Sequence, residues 1–164
     1  MQNTVADPEA ITFFNRDQKM KAAMVNSGAA KMMKLCRDYK PILISGGDMF
    51  AKGQQERQSA NIMAMVTMGG FDAATALRSA TGNAGEVLSW CTGMNPSKDG
   101  PLGVIKEGAY ADVIVVNGDP LADIECLHRD NVDVVVKDGK CYKYQLADGA
   151  LTVELDDQRL QQWS

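Results

Sequence analysis

The stretch PILISGGD, residues 41–48, decides the fold class of this 164-residue chain. It is short, continuously apolar and bounded by a proline and two glycines, a pattern typical of a strand that is buried on both faces of a parallel sheet. In α/β barrels, functional groups follow such strands directly. Asp48 stands at that position and is therefore the candidate catalytic residue; the alternative is that its carboxylate only caps the following turn.

The sequence on either side of this stretch has the period of helices. Apolar side chains recur every three or four residues, Gly69-Gly70 is a stop signal, and Phe71-Asp72 provides a hydrophobic staple and an N-cap. The pattern predicts helices over residues 16–39, 53–68, 73–80 and 84–90.

Beyond residue 100 the pattern changes to short β-branched runs that are separated by Gly and Asp turns. Asp138-Gly139 is a hairpin signal. We predict strands at 111–116, 131–136, 140–144 and 151–155, and a short terminal helix after them. Since residues 95–101 are polar and rich in turn formers, the predicted regions are 1–98, 101–156 and 157–164.

Composition narrows the classes of function. The net charge is −4 and the basic residues are scattered, which argues against nucleic acid as a partner. No apolar run reaches the roughly 18–20 residues of a membrane span, and the polar N-terminus does not resemble a signal peptide, so we expect a cytoplasmic protein without a membrane partner.

The residues that usually form structural metal sites or catalytic triads are sparse. Four cysteines lie far apart with no C-x-x-C pair, and His128 is the single histidine. Structural zinc normally requires four Cys or His ligands, so such a site is not expected, and buried, reduced thiols are the better interpretation. His128 is interpreted as a surface loop residue rather than a ligand. Ser45 and Ser97 have no histidine partner for a serine triad.

Three motifs, in order, resemble the C-terminal part of the amidohydrolase superfamily, and most of all its imidazolonepropionase-like and Xaa-Pro dipeptidase-like branch. The stretch at 41–48 is similar to the eighth barrel strand of that family, although Gly47 replaces the usual Thr. GFDAATALRSATGNA (residues 70–84) resembles its helix pair, and LGVIKEGAYADVIVV (residues 102–116) resembles its "L-G-x-I" segment. The likeness covers about residues 16–144.

This resemblance implies a metal-dependent hydrolase that cleaves C–N bonds. The family's (β/α)8 TIM-type barrel holds divalent metal, usually zinc, and the aspartate after the eighth strand binds metal and accepts a proton from the attacking water. Asp48 is the position that inherits both the catalytic and the metal-binding role. Small amides, dipeptides or cyclic amides are the implied substrates.

The family's other ligands, four histidines and a lysine or glutamate, have no counterparts in this sequence. The expectation is therefore an α/β C-terminal fragment of such a barrel, with part of a small β-sandwich, that binds no metal and is inactive by itself. The alternative is a non-catalytic remnant that acts as a binding or dimerisation module. A homo-oligomer is possible, because a partial barrel exposes apolar faces and strand edges that associate. Ten methionines suit either a contact surface or a core.

Overall fold

A computed structural model describes residues 14–47, 58–91, 93–95 and 97–146. In order, the helices are α1 (Arg16–Tyr39), α2 (Ser59–Thr67), α3 (Ala73–Ala80) and α4 (Gly82–Trp90), and the strands are β1 (Val113–Val116), β2 (Val132–Lys137) and β3 (Lys140–Tyr144). None of the described helices has the length and apolar character that a membrane crossing demands. The predicted strand at 151–155 and the terminal helix lie outside the described residues.

Local sequence signals account for the helix ends. A capping box begins α1: the Asn15 side chain accepts from the Gln18 N–H, and the Gln18 side chain accepts from the Asn15 N–H, both at 2.9 Å. Gly70, with a φ of 67°, follows the end of α2. Asp72 caps α3 as predicted, but α4 already begins at Gly82 rather than at residue 84. The helix predictions for 16–39 and 73–80 are thus confirmed.

The predicted strand in residues 41–48 is not formed. Residues 41–47 belong to no strand, and the described part of the chain contains one sheet, with the order β1-β2-β3. A parallel strand exists only with neighbours to pair with, and no described segment offers a parallel edge here. The prediction of burial on both faces is also wrong, since Ile42 and Ile44 are 51% and 53% exposed; both strand pairing and burial depend on the surrounding fold.

The sheet is an antiparallel meander. β2 pairs with both β1 and β3, and the β2–β3 turn has Asp138 and Gly139 at φ values of 50° and 71°. Two left-handed residues are typical of the type I′ hairpin turn that Asp-Gly predicts. β1 begins two residues later than predicted because Ala111 and Asp112 bind the turn instead.

A small core joins the helices to the β-rich region. Its buried members come from α2 and from a short 3-10 helix, Ile124–Leu127, that was not predicted from the sequence. They are Ala60, Met63, Ile124 and Leu127. The helical and β-rich regions therefore share apolar packing, while the division between residues 98 and 101 stays a prediction.

The Asp112 carboxylate, just before β1, binds the β2–β3 turn. Its Oδ1 accepts from the Asp138 N–H at 2.7 Å, and its Oδ2 lies 3.2 Å from Lys137 Nζ. The backbone bond, and then the lysine, hold the pKa of Asp112 below its ordinary value of 3.8. The carboxylate therefore stabilises the hairpin above about pH 4, and this contribution disappears as the pH falls through the lowered pKa.

We expect Asp112→Ala to lower the free energy of unfolding by about 1 kcal/mol at pH 7, because the Asp138 N–H loses its acceptor. Asp112→Asn, which keeps an acceptor, should lose less. Urea denaturation at pH 7 and at pH 3 measures both, and the difference between wild type and Asp112→Ala should narrow at pH 3. An equal difference at the two pH values would show that the ionised carboxylate does not act on the turn.

Candidate active-site segment

The segment that leads to residue 48 is attached to α3 and α4 by two hydrogen bonds. The Ser45 N–H donates to the Ser79 carbonyl at 2.9 Å, and Asn83 Nδ2 donates to the Leu43 carbonyl at 3.0 Å. In an extended chain the C=O of one residue and the N–H two residues later point to the same side. The helix pair thus holds one edge of the segment as a neighbouring strand would.

The helix that holds the segment is itself well anchored. Ser79 and Ala76 have no exposed surface, and the Ser79 hydroxyl donates to the Ala76 carbonyl at 2.6 Å. At the start of α3, Asp72 accepts from both the Thr75 hydroxyl and the Thr75 N–H, at 2.7 Å and 2.8 Å. These bonds lower the pKa of Asp72, so its carboxylate caps α3 at neutral pH.

Side-chain burial along the segment alternates. Leu43 and Ser45 are half-buried, whereas Ile42 and Ile44 are 51% and 53% exposed. A period of two is the pattern of a strand with one packed face. The exposed isoleucines form an apolar surface that the described residues do not cover.

The segment ends on the wall of an open cleft of about 750 Å³. Ser45, Gly46 and Gly47 line it together with Gln58 at the start of α2. Charged and apolar side chains from the β-rich region also line it: Ile114, Arg129, Asp130, Val132, Val135 and Lys143. Asp48 follows Gly47 in the sequence and lies outside the described residues, so its assignment stays a prediction.

The described residues do not form a metal site. No three His, Cys, Asp or Glu side chains lie together there in a group that could hold an ion. The His128 side chain is 60% exposed, with Nδ1 3.5 Å from Asp130 Oδ2, in agreement with a surface position. A metal site that uses Asp48 would need ligands beyond the described residues.

The cysteines are free thiols. Burial, and then the nearby carboxylates of Asp123 and Asp119, raise the pKa of Cys126, so its thiol is protonated at neutral pH and a poor nucleophile. Cys126 is the buried member of the four. Cys36, Cys91 and Cys141 are half-buried, so the prediction of buried thiols is right for one of them.

Two contact residues were not identified as candidates from the sequence. Asn83 lies in the string ATGNA that carried the family resemblance, yet its partner Leu43 is 40 residues away, and no local rule predicts that contact. Arg37 is the second: its guanidinium donates to the Gly69 carbonyl and lies 5.8 Å from the Phe71 ring centre. This attaches α1 to the turn between α2 and α3.

Comparison with known proteins shows which family and which solved structures this chain resembles. The profile of the amidohydrolase family matches residues 18–141. A solved amidohydrolase is 25% identical with a TM-score of 0.70, and the match covers 88% of this chain and 32% of that one. A prolidase solved with N-methylphosphonate-L-proline is 26% identical with a TM-score of 0.65, and the match covers 87% and 33% of the two chains.

A third solved structure is an ochratoxinase of A. niger, 22% identical with a TM-score of 0.64, for which the match covers 86% of this chain and 30% of the other. At that identity the likeness concerns the fold alone. No curated protein matches the sequence. The chain spans about a third of the length of the solved structures that it resembles.

Proposed function

This chain belongs to the amidohydrolase family, and from that premise we propose that it is the C-terminal part of a metal-dependent enzyme that cleaves a C–N bond. The match over residues 18–141 is the observation that carries the proposal. The substrate proposed is a small amide, dipeptide or cyclic amide; the prolidase among the similar structures, solved with a proline analogue, favours a dipeptide. A cytoplasmic location stays a prediction from composition.

The proposed architecture is a fragment of a (β/α)8 barrel followed by part of a β-sandwich. Residues 1–98 would supply the last barrel elements, 101–156 the sandwich strands, and 157–164 a terminal tail. Amidohydrolase structures that are about three times as long as this chain support a larger parent fold. The described sheet, β1-β2-β3, would be the sandwich part.

Asp48 is the proposed catalytic and metal-binding residue. Amidohydrolases generally bind divalent metal ions, and zinc is the ion proposed here; such an ion supplies water activation. This chain's own contribution would be a carboxylate that accepts a proton from the attacking water and returns it to the leaving nitrogen. The sequence has one histidine, so the remaining ligands are proposed to come from further polypeptide.

We predict that the chain alone has no hydrolase activity, because catalytic zinc takes about three protein ligands and Asp48 is one. The measurement is hydrolysis of a prolyl dipeptide by the purified chain with added Zn²⁺, compared with buffer that contains the same Zn²⁺. Activity that follows the protein peak on a sizing column and disappears with a chelator would contradict this prediction.

A binding or dimerisation module is the second candidate, and α1 is the observation that favours it. None of the 24 residues of this helix is buried. Its exposed apolar side chains include Met20, Met24, Val25, Met32 and Tyr39. Apolar surface of this extent marks a contact site or a source of aggregation. Size-exclusion chromatography with light scattering separates the two, since a uniform dimer favours the module and soluble aggregate favours an incomplete enzyme.

A further inference from the structure

We propose that Asn83 is a positioning residue that fixes the segment Leu43–Ser45, which precedes Asp48 in the sequence. The proposal rests on the proposed function for its catalytic meaning, and on the geometry of described residues for the contact itself. Asn83 Nδ2 donates to the Leu43 carbonyl at 3.0 Å across 40 residues of sequence.

The hydrogen bond from Asn83 is one of the two that a neighbouring strand would make with this segment. Leu43 C=O and Ser45 N–H point to the same side of an extended chain, where a neighbouring strand would offer one donor and one acceptor. Here the acceptor is the Ser79 carbonyl, at 2.9 Å, and the donor is the Asn83 amide. Both come from the junction of α3 and α4, so the segment is fixed relative to α3, whose Ala76 and Ser79 are buried.

An amide is suited to this task because it can donate without carrying a charge. Asn83 lies in the first turn of α4, where its backbone is already fixed, and it is half-buried. An aspartate has the same shape but, when ionised, only accepts hydrogen bonds. Its carboxylate would face the Leu43 carbonyl oxygen and repel it.

The anchor matters because Asp48 follows Ser45 by only three residues in the sequence. Ser45 is followed by two glycines, and a Cβ added to Gly46 would meet nothing within 4 Å. Residue 48 lies at most about 10 Å along the chain from Ser45. Displacement of a reacting group by about 1 Å is enough to cost roughly 100-fold in rate. The position of Ser45 therefore matters, because it restricts the positions that the Asp48 carboxylate can reach.

The test is amide hydrogen exchange in Asn83→Asp, with Asn117→Asp as the matched control. Asn117 is exposed, so the control adds the same charge away from the segment. We expect exchange at Ser45 to be about tenfold faster in Asn83→Asp at pH 7, with exchange in β2 and β3 and the thermal midpoint unchanged. The control should resemble wild type.

A pH series gives a signature that a merely structural role would not produce. Below about pH 4 the carboxyl group introduced by Asn83→Asp is protonated and regains an O–H donor, so the protection of Ser45, corrected for intrinsic exchange, should return toward wild type. Unchanged exchange at Ser45 in Asn83→Asp at pH 7 overturns the proposal. Should this variant not fold, Asn83→Ala takes its place in the pH 7 measurement, and if neither folds, Asn83 serves global stability and the proposal fails.

Exchange and turnover separate this inference from the proposed function. In a polypeptide with a complete metal site, Asn83→Asp should lower kcat on a prolyl dipeptide at least about tenfold and leave KM within about twofold. If wild type hydrolyses nothing while the exchange effect is present, the proposed function fails and the positioning of the segment stands. If the Asn83→Asp variant has normal turnover and unchanged exchange at Ser45, the positioning role fails and the proposed hydrolase function stands.

Discussion

Gly103→Ala is expected to lower the free energy of unfolding by about 3–5 kcal/mol, enough to unfold much of a marginally stable chain. Gly103 has a φ of +71°, and an added Cβ would lie 2.2 Å from the Thr81 carbonyl oxygen and 2.4 Å from the Thr81 carbonyl carbon. These are backbone atoms and cannot rotate away. A left-handed non-glycine residue costs about 1–2 kcal/mol before any contact is counted, and the overlap adds the rest.

Gly139→Ala is the matched control for this prediction. Gly139 has the same φ of +71°, but a Cβ there would meet nothing within 4 Å. It should therefore lose only the conformational part, about 1–2 kcal/mol. Urea denaturation of the two variants measures the difference. Equal losses would mean that the loop at Gly103 does not lie against the junction of α3 and α4.

The contact at Gly103 brings together two of the motifs that resemble the family. The string that begins with Leu102-Gly103 is one of them, and it lies against the turn between α3 and α4. Gly85 is restricted by the same loop, since a Cβ there would lie 2.0 Å from the Leu102 carbonyl oxygen. Two motifs separated in sequence are thus two sides of one backbone contact.

Features that depend on a few neighbouring residues could be predicted from the sequence. The cap at Asp72, the left-handed pair Asp138-Gly139 and the hairpin that it closes follow from local hydrogen bonds and allowed backbone angles. The same holds for the span of α1, which follows from the helical spacing of its apolar side chains. Such signals do not require knowledge of the rest of the fold.

Features that depend on distant partners could not be predicted. The strand expected in residues 41–48 needed neighbours that local pattern cannot supply, and Asn83 was overlooked because its acceptor is 40 residues away. The short 3-10 helix Ile124–Leu127 was missed for a related reason: four residues have too little periodicity, and its buried side chains are explained by packing on α2. For the site, the sequence suggested Asp48 through its place after an apolar stretch and through the resemblance, and the structure adds the contacts of Leu43 and Ser45, which precede it.

Asp48→Asn is expected to reduce kcat at least about 100-fold in a polypeptide that carries this sequence with a complete metal site, because a positioned general base contributes about 10²–10⁴-fold. Asparagine has the same shape as aspartate but cannot accept a proton from the attacking water. Turnover of a prolyl dipeptide with added Zn²⁺ is the measurement, with circular dichroism to show that the fold is kept. Asp48→Glu, which keeps the carboxylate on a longer side chain, should retain more activity than Asp48→Asn.

The control for Asp48→Asn must remove one carboxylate without disturbing the fold, and Asp138→Asn does so. Asp138 is an exposed turn residue with a φ of 50°, a conformation that asparagine adopts readily. This control should keep wild-type kcat, because Asp138 is an exposed residue of the β2–β3 turn and has no part in the proposed site. If Asp48→Asn also stays within about threefold of wild type, the proton-accepting role belongs to another residue. The position of Asp48 after Gly46-Gly47 would then be explained by the capping alternative.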